Sequence, residues 1–372
     1  ILISVFPLAM YKALQSASVV SEAYFMVGFI SLISGLMVPY LTRFIPRRWV
    51  YICSCFLYAS GALLATNGSA AAMVTALGFI TVATVALFVC FNAYVLDYIS
   101  KIQLGNCETS RMFYGAFGWT VGPVLGVFLY KWWAPAPFLV SAAAAFAMLA
   151  LFLFMRLGNG RLITKAKANQ KNPLAFVPRF FAQPRLLTGW LFAVIRSSGW
   201  WVYVVYMPIY AIENGLSDQF GGIALSITNA TLLVTPFMLK WIQRNSVRHA
   251  VRTGFLVSGL LFICASFVYS LPLLTVACLL FGSFFMILLD VCAGLPFLLA
   301  VKPSERTEMS AIYSSYRDVS GIITPGAAWL VLAVAPLSGI FCAAGIGLTG
   351  AWALAGKLHL RLGQARISYS SS

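Results

Sequence analysis

Residues 134–155 read APAPFLVSAAAAFAMLALFLFM, an apolar run without a single charged side chain. A helix needs about 20 such residues to cross the hydrocarbon core of a bilayer. Strands of a membrane barrel would instead alternate in polarity over roughly 10 residues, and this run does not alternate. The stretch therefore predicts a membrane-spanning α-helix.

Similar runs recur along the whole chain. With the first, they predict spans at 1–11, 23–42, 49–66, 70–99, 112–130, 134–155, 187–211, 220–239, 253–270, 271–300, 310–334 and 337–356. Because 61% of the residues are hydrophobic and only 9% are charged, the chain has too much apolar surface for a water-soluble protein. We predict an all-α integral membrane protein with twelve transmembrane helices.

The first of these runs is short. We interpret residues 1–11 as the end of a first span that is truncated in this sequence. A cleaved signal peptide is the alternative, but neither a basic n-region nor a small-residue cleavage site is visible.

The basic residues predict the orientation of the spans. Of the 25 lysines and arginines, Arg196 and Arg317 lie inside predicted spans, Lys12 and Lys131 lie on one side, and the other 21 lie on the opposite side. Cytoplasmic loops carry such an excess, so both termini and the loop 156–186 are expected in the cytoplasm. The net charge of +16 then reflects topology and attraction to membrane lipids, and no nucleic-acid partner is needed.

The long loop divides six spans from six. We predict an N-terminal six-helix bundle at 1–156, a cytoplasmic linker at 157–186 and a C-terminal six-helix bundle at 187–372. The openings of the fifth and eleventh spans resemble each other, with Glu108-Thr-Ser-Arg-Met in one and Glu305-Arg-Thr-Glu-Met in the other. This repetition indicates two pseudo-symmetric halves.

Several classes of protein are disfavoured by what the sequence lacks. The cysteines show no metal-ligand spacing and the two histidines lie beside basic clusters, so neither a metal nor a cofactor is expected. No Gly-x-x-x-x-Gly-Lys-Ser/Thr loop occurs, so ATP is not the direct energy source. A membrane-embedded lipid-modifying enzyme would need nucleophilic and acid–base groups near one interface, and this remains a remote alternative. We expect a transporter and not an enzyme.

Two motifs carry more specific information. The loop after the second predicted span contains Gly35 and three arginines, Arg43, Arg47 and Arg48. The fifth span reads GAFGWTVGPVLG from Gly115, which places glycines at four-residue spacing beside a proline; the helix-packing motif consists of Gly118, Gly122, Pro123 and Gly126. Such glycines allow close helix approach and the proline allows a bend, so the span is expected to form a packed but pliable seam.

Both motifs resemble those of the major facilitator superfamily, and the second resembles the fifth-helix motif of its proton antiporters. The sequence departs from the pattern in two places, because the first loop has no acidic residue and Val127 replaces the usual second glycine. The resemblance implies a monomeric, proton-coupled exporter in the inner (plasma) membrane of a bacterium. It also implies a cytoplasmic gate in which Asp97 latches to Arg43 or Arg47, with Arg111 nearby; proton carriage by Asp97 is the alternative.

Four charged residues lie deep inside predicted spans, where charges are costly and tend to face a cavity or each other. They are Arg196, Asp290, Arg317 and Asp318. One hypothesis makes Asp290 the protonatable group, with Arg196 or Arg317 modulating it or holding an anionic substrate. The alternative is a structural Arg–Asp pair joining two helices. Because a nearby arginine favours the ionised carboxylate, the pairing bears on both interpretations.

Aromatic and amide groups complete the candidate substrate site, namely Trp200, Tyr203, Tyr313, Tyr316 and Asn92. A cavity of this composition suits a small amphipathic or anionic organic molecule. We expect proton-coupled transport of such a molecule by alternating access, with export favoured. The alternatives are an importer of an organic solute or metal chelate and, on the same fold, a receptor that does not transport.

Overall fold

The computed structural model describes residues 1–98, 104–158, 177–292 and 312–358, with residues 294, 296, 297, 301 and 309. Regular structure in this part of the chain is helical, and it contains no strand. The helices are α1 (Leu2–Leu14), α2 (Ala17–Phe44), α3 (Arg47–Ala65), α4 (Ala70–Tyr98), α5 (Leu104–Trp132), α6 (Ala136–Gly158), α7 (Val177–Phe181), α8 (Pro184–Trp201), α9 (Met207–Glu213), α10 (Phe220–Ala230), α11 (Thr235–Asn245), α12 (Val247–Phe267), α13 (Pro272–Cys292), α14 (Tyr316–Leu332) and α15 (Ser338–Ala355).

The predicted all-α membrane fold is confirmed. In their described residues the predicted spans are mainly helical, and seven helices within the described ranges are long and apolar enough to cross a membrane by themselves. The other segments are shorter, interrupted or less apolar. Many large apolar side chains are exposed on the surface of the protein, for example Phe267 at 82% and Phe154 at 78% exposure. Lipid, and not water, is the solvent that tolerates such a surface.

Three helices begin well before the predicted spans: α5 begins at Leu104 and not at 112, and helix caps explain the other two. The second span begins at Ala17 and not at 23, because the Ser16 hydroxyl accepts the N–H of Val19 at 3.5 Å. The ninth begins at Val247 and not at 253, because the Ser246 hydroxyl accepts the N–H of His249 at 3.2 Å. Capping serines satisfy the first free N–H groups of a helix, so polar residues extend it beyond the apolar run.

Contacts divide the chain into two compact units. Unit 1 comprises Ile1–Gln170, Pro208–Asn229 and Pro325–Trp329; unit 2 comprises Lys171–Met207, Ala230–Thr324 and Leu330–Ser372. In unit 1, α3 packs against α4 and α6 around Tyr51, Cys55 and Cys90. The predicted division into bundles at 1–156 and 187–372 remains a prediction.

In unit 2, α12 packs closely against α13 and α15. A Cβ added to Gly259 would lie 3.0 Å from the carbonyl oxygen of Gly345, and one added to Gly345 would lie 2.8 Å from that of Gly259. Any larger side chain at either position would push the helices apart, since such a contact is tighter than van der Waals separation. This glycine pair brings the α12 and α15 backbones together.

A π-helical turn, Val202–Tyr206, joins α8 to α9. The extra residue in a π-turn changes which side chains face a neighbouring helix, and such turns are frequent at functional sites. Here the turn directly follows Trp200 and Trp201 and contains the buried Tyr203.

Candidate functional site

The deep charges of unit 2 converge on one cluster, which we call the Arg–Asp cluster: Arg196 and Trp200 from α8, Asp290 from α13, and Tyr316 and Arg317 from the start of α14. Arg196 and Trp200 are four residues apart and therefore lie on the same face of α8. Asp290 reaches them from near the end of α13.

Both oxygens of Asp290 are engaged. The Nε of Arg196 lies 3.1 Å from Oδ1, and the indole Nε1 of Trp200 donates a hydrogen bond of 3.1 Å to Oδ2. The two partners differ in environment, because the side chain of Arg196 is 10% exposed and that of Asp290 is 37% exposed. The carboxylate is thus held from one side and open on another.

The Nε of Arg196 forms the ion pair without hydrogen-bond geometry, whereas both terminal nitrogens donate hydrogen bonds. Nη1 donates to the backbone oxygen of Leu289 at 3.4 Å, and Nη2 donates to the hydroxyl of Tyr316 at 3.4 Å. The guanidinium also lies 5.5 Å from the centre of the Tyr316 ring. A buried guanidinium with all these partners is suited to holding a carboxylate in place, and less suited to binding a mobile ligand.

Arg317 lies on the exposed side of the same tyrosine. Its Nε donates to the Tyr316 hydroxyl at 3.1 Å, and its guanidinium lies 5.6 Å from the ring centre. The side chain is exposed, and neither terminal nitrogen has a hydrogen-bond partner among the described residues. The five residues of the cluster therefore carry two positive charges and one negative charge, and Asp318, next to Arg317 in the chain, adds a second carboxylate nearby. Asp318 is half-buried and forms no ion pair with any described residue.

The predicted aromatic residues only partly join this cluster. Tyr203 is buried with its ring 6.0 Å from that of Trp200. Tyr313 packs between Tyr316, at 5.4 Å, and Phe297, on which it stacks at 4.0 Å. Asn92 is half-buried on α4, in unit 1, whereas the Arg–Asp cluster belongs to unit 2.

The predicted cytoplasmic gate is described only in part. The backbones of Asp97, Arg43 and Arg111 lie in α4, α2 and α5, but their side chains fall outside the described residues. Arg47 is half-buried, with its guanidinium 5.6 Å from the ring centre of Tyr94 on α4. The latch between Asp97 and the arginines stays a prediction.

The fifth-span motif forms a close seam within unit 1. A Cβ on Gly122 would lie 2.9 Å from the backbone nitrogen of Ile1, and one on Gly126 would lie 2.6 Å from its oxygen. Gly118 differs, because nothing lies within 4 Å of the Cβ that it would carry. Ile1 therefore packs directly against Gly122 and Gly126 of the glycine motif.

Segment Pro208–Asn229 supplies the other side of this seam. The backbone N–H of Val124, next to the helix-bending Pro123, donates to the hydroxyl of Ser226 at 3.1 Å. A Cβ on Gly222 would lie only 2.5 Å from a methyl group of Val127. The glycine that is absent at position 127 thus has a counterpart at position 222, on the opposing helix.

Comparisons with known proteins agree with this architecture. A sequence profile described as Major Facilitator Superfamily matches residues 1–325. The chain belongs to the Major Facilitator Superfamily. No curated protein matches it significantly.

Solved structures extend the same likeness over nearly the whole chain. A crystal structure of the nucleoside transporter NupG has a TM-score of 0.67 at 14% identity, covering 96% of this chain and 98% of that one. A mutant of the same transporter has a TM-score of 0.70 at 14% identity, covering 95% of each chain. At this identity the likeness concerns the fold. As a superfamily member, the chain is a multi-pass membrane transporter of a small molecule and not an enzyme.

Sequence reasoning missed several parts of this superfamily member's candidate site. Only one feature of the sequence pointed to the hydrogen bond from Trp200 to Asp290, namely that Trp200 lies four residues after Arg196 and so on the same face of the helix. The bond of 2.6 Å between Ser197 and Ser320, which ties α8 to α14, had no signal beyond two polar residues in apolar spans. Among the described residues, no group of three His, Cys, Asp or Glu side chains could hold a metal ion.

Proposed function

We propose that this chain is a proton-coupled secondary transporter that exports a small amphipathic or anionic organic molecule by alternating access. The observation that supports it best is the asymmetry of the Arg–Asp cluster. Asp290 is partly open although both its oxygens are engaged, and the neighbouring Arg317 is exposed, with no described residue bonded to its terminal nitrogens. A carboxylate that changes partners and an arginine that binds an anion are the two groups such a transporter needs.

Asp290 is the proposed proton carrier. When it takes a proton, its attraction to Arg196 is lost, but Arg196 keeps its bonds to the Leu289 oxygen and the Tyr316 hydroxyl. The guanidinium therefore has a place to remain while the carboxyl turns away. Such a local change between two arrangements can bias which face of a transporter is open.

Arg317 is the proposed anchor for an anionic group. Its free terminal nitrogens match the two oxygens of a carboxylate or phosphate, which arginine binds in a bidentate manner. The Tyr316 ring fixes the guanidinium from one face. Nearby aromatic side chains, Trp200 above all, provide surface for the apolar part of the same molecule.

Two directions of transport are supported by different observations. The fifth-span motif resembles that of proton antiporters, and this favours export. The charges of the cluster favour a second candidate, symport with import, because protonation of Asp290 removes the counter-charge of Arg196 and leaves only Asp318 near the two arginines, which strengthens anion binding. Proton and anion would then travel together.

The test begins with a ligand. Organic acids, siderophores, antibiotics and sugars would be screened for binding by their effect on the unfolding temperature of the purified protein. Nucleosides are added because the structurally similar protein NupG is named a nucleoside transporter. The best ligand is then followed in proteoliposomes under an imposed pH gradient. Accumulation driven by protons moving in the opposite direction indicates export by antiport, and accumulation with protons indicates symport.

Asp290→Asn is the decisive variant. It should abolish accumulation driven by the pH gradient and spare exchange of labelled for unlabelled substrate. Asp318→Asn is the matched control, since it removes the same charge from a half-buried site without an ion pair, and it should stay coupled. If Asp290→Asn still accumulates substrate against a gradient, Asp290 is structural and the coupling lies elsewhere.

Arg317→Gln tests the anion anchor separately. It should weaken binding of an anionic ligand about tenfold or more, because a charge-assisted hydrogen bond contributes about 1.5–3 kcal/mol. Arg185→Gln, which removes an exposed charge at the start of α8, should leave binding unchanged. If both variants lost the same amount of ligand affinity, the loss would come from the change in net charge and Arg317 would not be the anion anchor.

A further inference from the structure

A second group of basic residues lies in unit 2, at the end of α12 that is expected to face the cytoplasm. Arg248 and Arg252 are half-buried on α12 and lie one helical turn apart. Lys240, Arg244 and His249 are exposed basic residues in the neighbouring sequence. The exposed Lys357 follows Gly356, whose backbone oxygen contacts Arg248. None of these residues takes part in the proposed transport site.

The segments that carry these basic residues, 219–289 and 319–372, contain no carboxylate side chain. Helices α11 and α12 therefore carry basic residues and no acidic ones, and Lys357 follows the end of α15. Exposed lysines and arginines are satisfied by water and headgroups, and the positive-inside rule explains them. It does not explain arginines that are half-buried.

The two half-buried arginines have polar atoms without partners. Nη2 of Arg248 donates to the backbone oxygen of Gly356 at 2.7 Å, just beyond α15, but its Nε is buried without an acceptor. The guanidinium of Arg252 lies 5.2 Å from the ring centre of Trp352, and its Nε is likewise buried without an acceptor. The buried Nε atoms are out of reach of an external ligand, but Nη1 of Arg248 and both terminal nitrogens of Arg252 have no hydrogen-bond partner among the described residues and are not buried. An N–H group without an acceptor is costly, so these terminal nitrogens are the ones expected to take an external acceptor.

The chemistry of the guanidinium groups and their position at the membrane surface together indicate which molecule supplies the hydrogen-bond acceptor. Guanidinium groups bind phosphate oxygens in pairs, and the surrounding positive charge selects an anion over a zwitterion. The site lies where the apolar helix α12 (Val247–Phe267), long enough to span a membrane, begins. Trp352 provides the aromatic surface that is typical of the headgroup level. We propose that Arg248, Arg252 and Trp352 bind the phosphate of an acidic phospholipid in the cytoplasmic leaflet.

The experiment uses the purified full chain in a neutral detergent. Native mass spectrometry would count lipids retained from phosphatidylglycerol and from phosphatidylcholine, and thermal unfolding would be followed with each lipid and with inorganic phosphate. Phosphatidylglycerol should be retained and should raise the unfolding temperature, whereas phosphatidylcholine should do neither. Equal effects of the two lipids, or equal stabilisation by inorganic phosphate, would overturn the assignment to an acidic lipid.

Variants locate the site. Replacing both Arg248 and Arg252 by Gln should reduce retention of phosphatidylglycerol about tenfold, the loss expected for one charge-assisted contact or more. Arg48→Gln is the matched control, since Arg48 also lies over a tryptophan ring, that of Trp49 at 5.5 Å, but is exposed. If the Gln pair does not fold, lysine at both positions keeps the charge and should retain intermediate amounts. Full retention by the double variant would place the lipid elsewhere.

Discussion

The close contact between Gly222 and Val127 allows a prediction in which the interatomic distances set the size of the loss in stability. In Gly222→Ala the new Cβ would meet the two Val127 methyl groups at 2.5 and 2.7 Å and the Pro123 oxygen at 2.8 Å. Carbon atoms normally approach to about 3.5–4.0 Å, so the overlap reaches roughly 1 Å. Overpacking of this kind costs about 1–3 kcal/mol, and we expect Gly222→Ala to lower the free energy of unfolding by that amount.

A second substitution makes the prediction specific. Val127→Ala removes the two methyl groups that clash and keeps the Cβ, so the cost of Gly222→Ala should fall by about 1–2 kcal/mol in the double variant. The remaining cost comes from the Pro123 oxygen, which no side-chain change removes. The free energies would be measured by denaturant titration in mixed micelles, as a double-mutant cycle.

Gly78→Ala, in α4 of the same unit, is the control. Nothing lies within 4 Å of its Cβ, so alanine should be neutral or stabilise the helix by up to about 1 kcal/mol. Two results would refute the reasoning. One is a Gly222→Ala variant as stable as the original chain; the other is a cost that Val127→Ala leaves unchanged.

Three further predictions concern topology, gating and the ion pair in unit 1. In a cysteine-free background, a cysteine at position Asn169 should resist an impermeant reagent in intact cells while one at Asn67 reacts; equal rates would overturn the orientation. Asp97→Asn should slow transport in proteoliposomes while ligand binding by thermal shift stays intact, and a parallel loss of binding would argue against a gate latch. The ion pair of Lys12 with Asp218 is exposed on both sides, so Lys12→Gln should cost less than about 1 kcal/mol. That cost should shrink further when the denaturation is repeated at high salt, and a larger, salt-independent loss would contradict it.

Much of the candidate site was visible as single residues. Charges inside apolar spans are rare and expensive, so Arg196, Asp290 and Arg317 stand out in the sequence without any structure. Their partnership was not visible, because either arginine could have reached Asp290. The packing of α8 on α13 assigns the ion pair to Arg196 and leaves Arg317 exposed.

Some contacts had no signal along the chain at all. Val127 departs from the family pattern, and only the structure brings Gly222 opposite to it. The half-buried state of Arg248 and Arg252 was equally hidden, because both read as ordinary basic residues of a cytoplasmic loop. Close approach between helices depends on residues that are far apart in sequence, so no local pattern reports it.

The sequence by itself determined that this protein is a helical membrane transporter, and the reason is local. Each apolar run must satisfy its own backbone hydrogen bonds in lipid, so length and hydropathy alone determine where a helix lies. Which side chains meet is decided by tertiary structure, because lipid is as apolar as the helix surfaces and shape and polar pairing select the neighbours. The arrangement of Arg196 and Trp200 around Asp290 is therefore decided by tertiary structure.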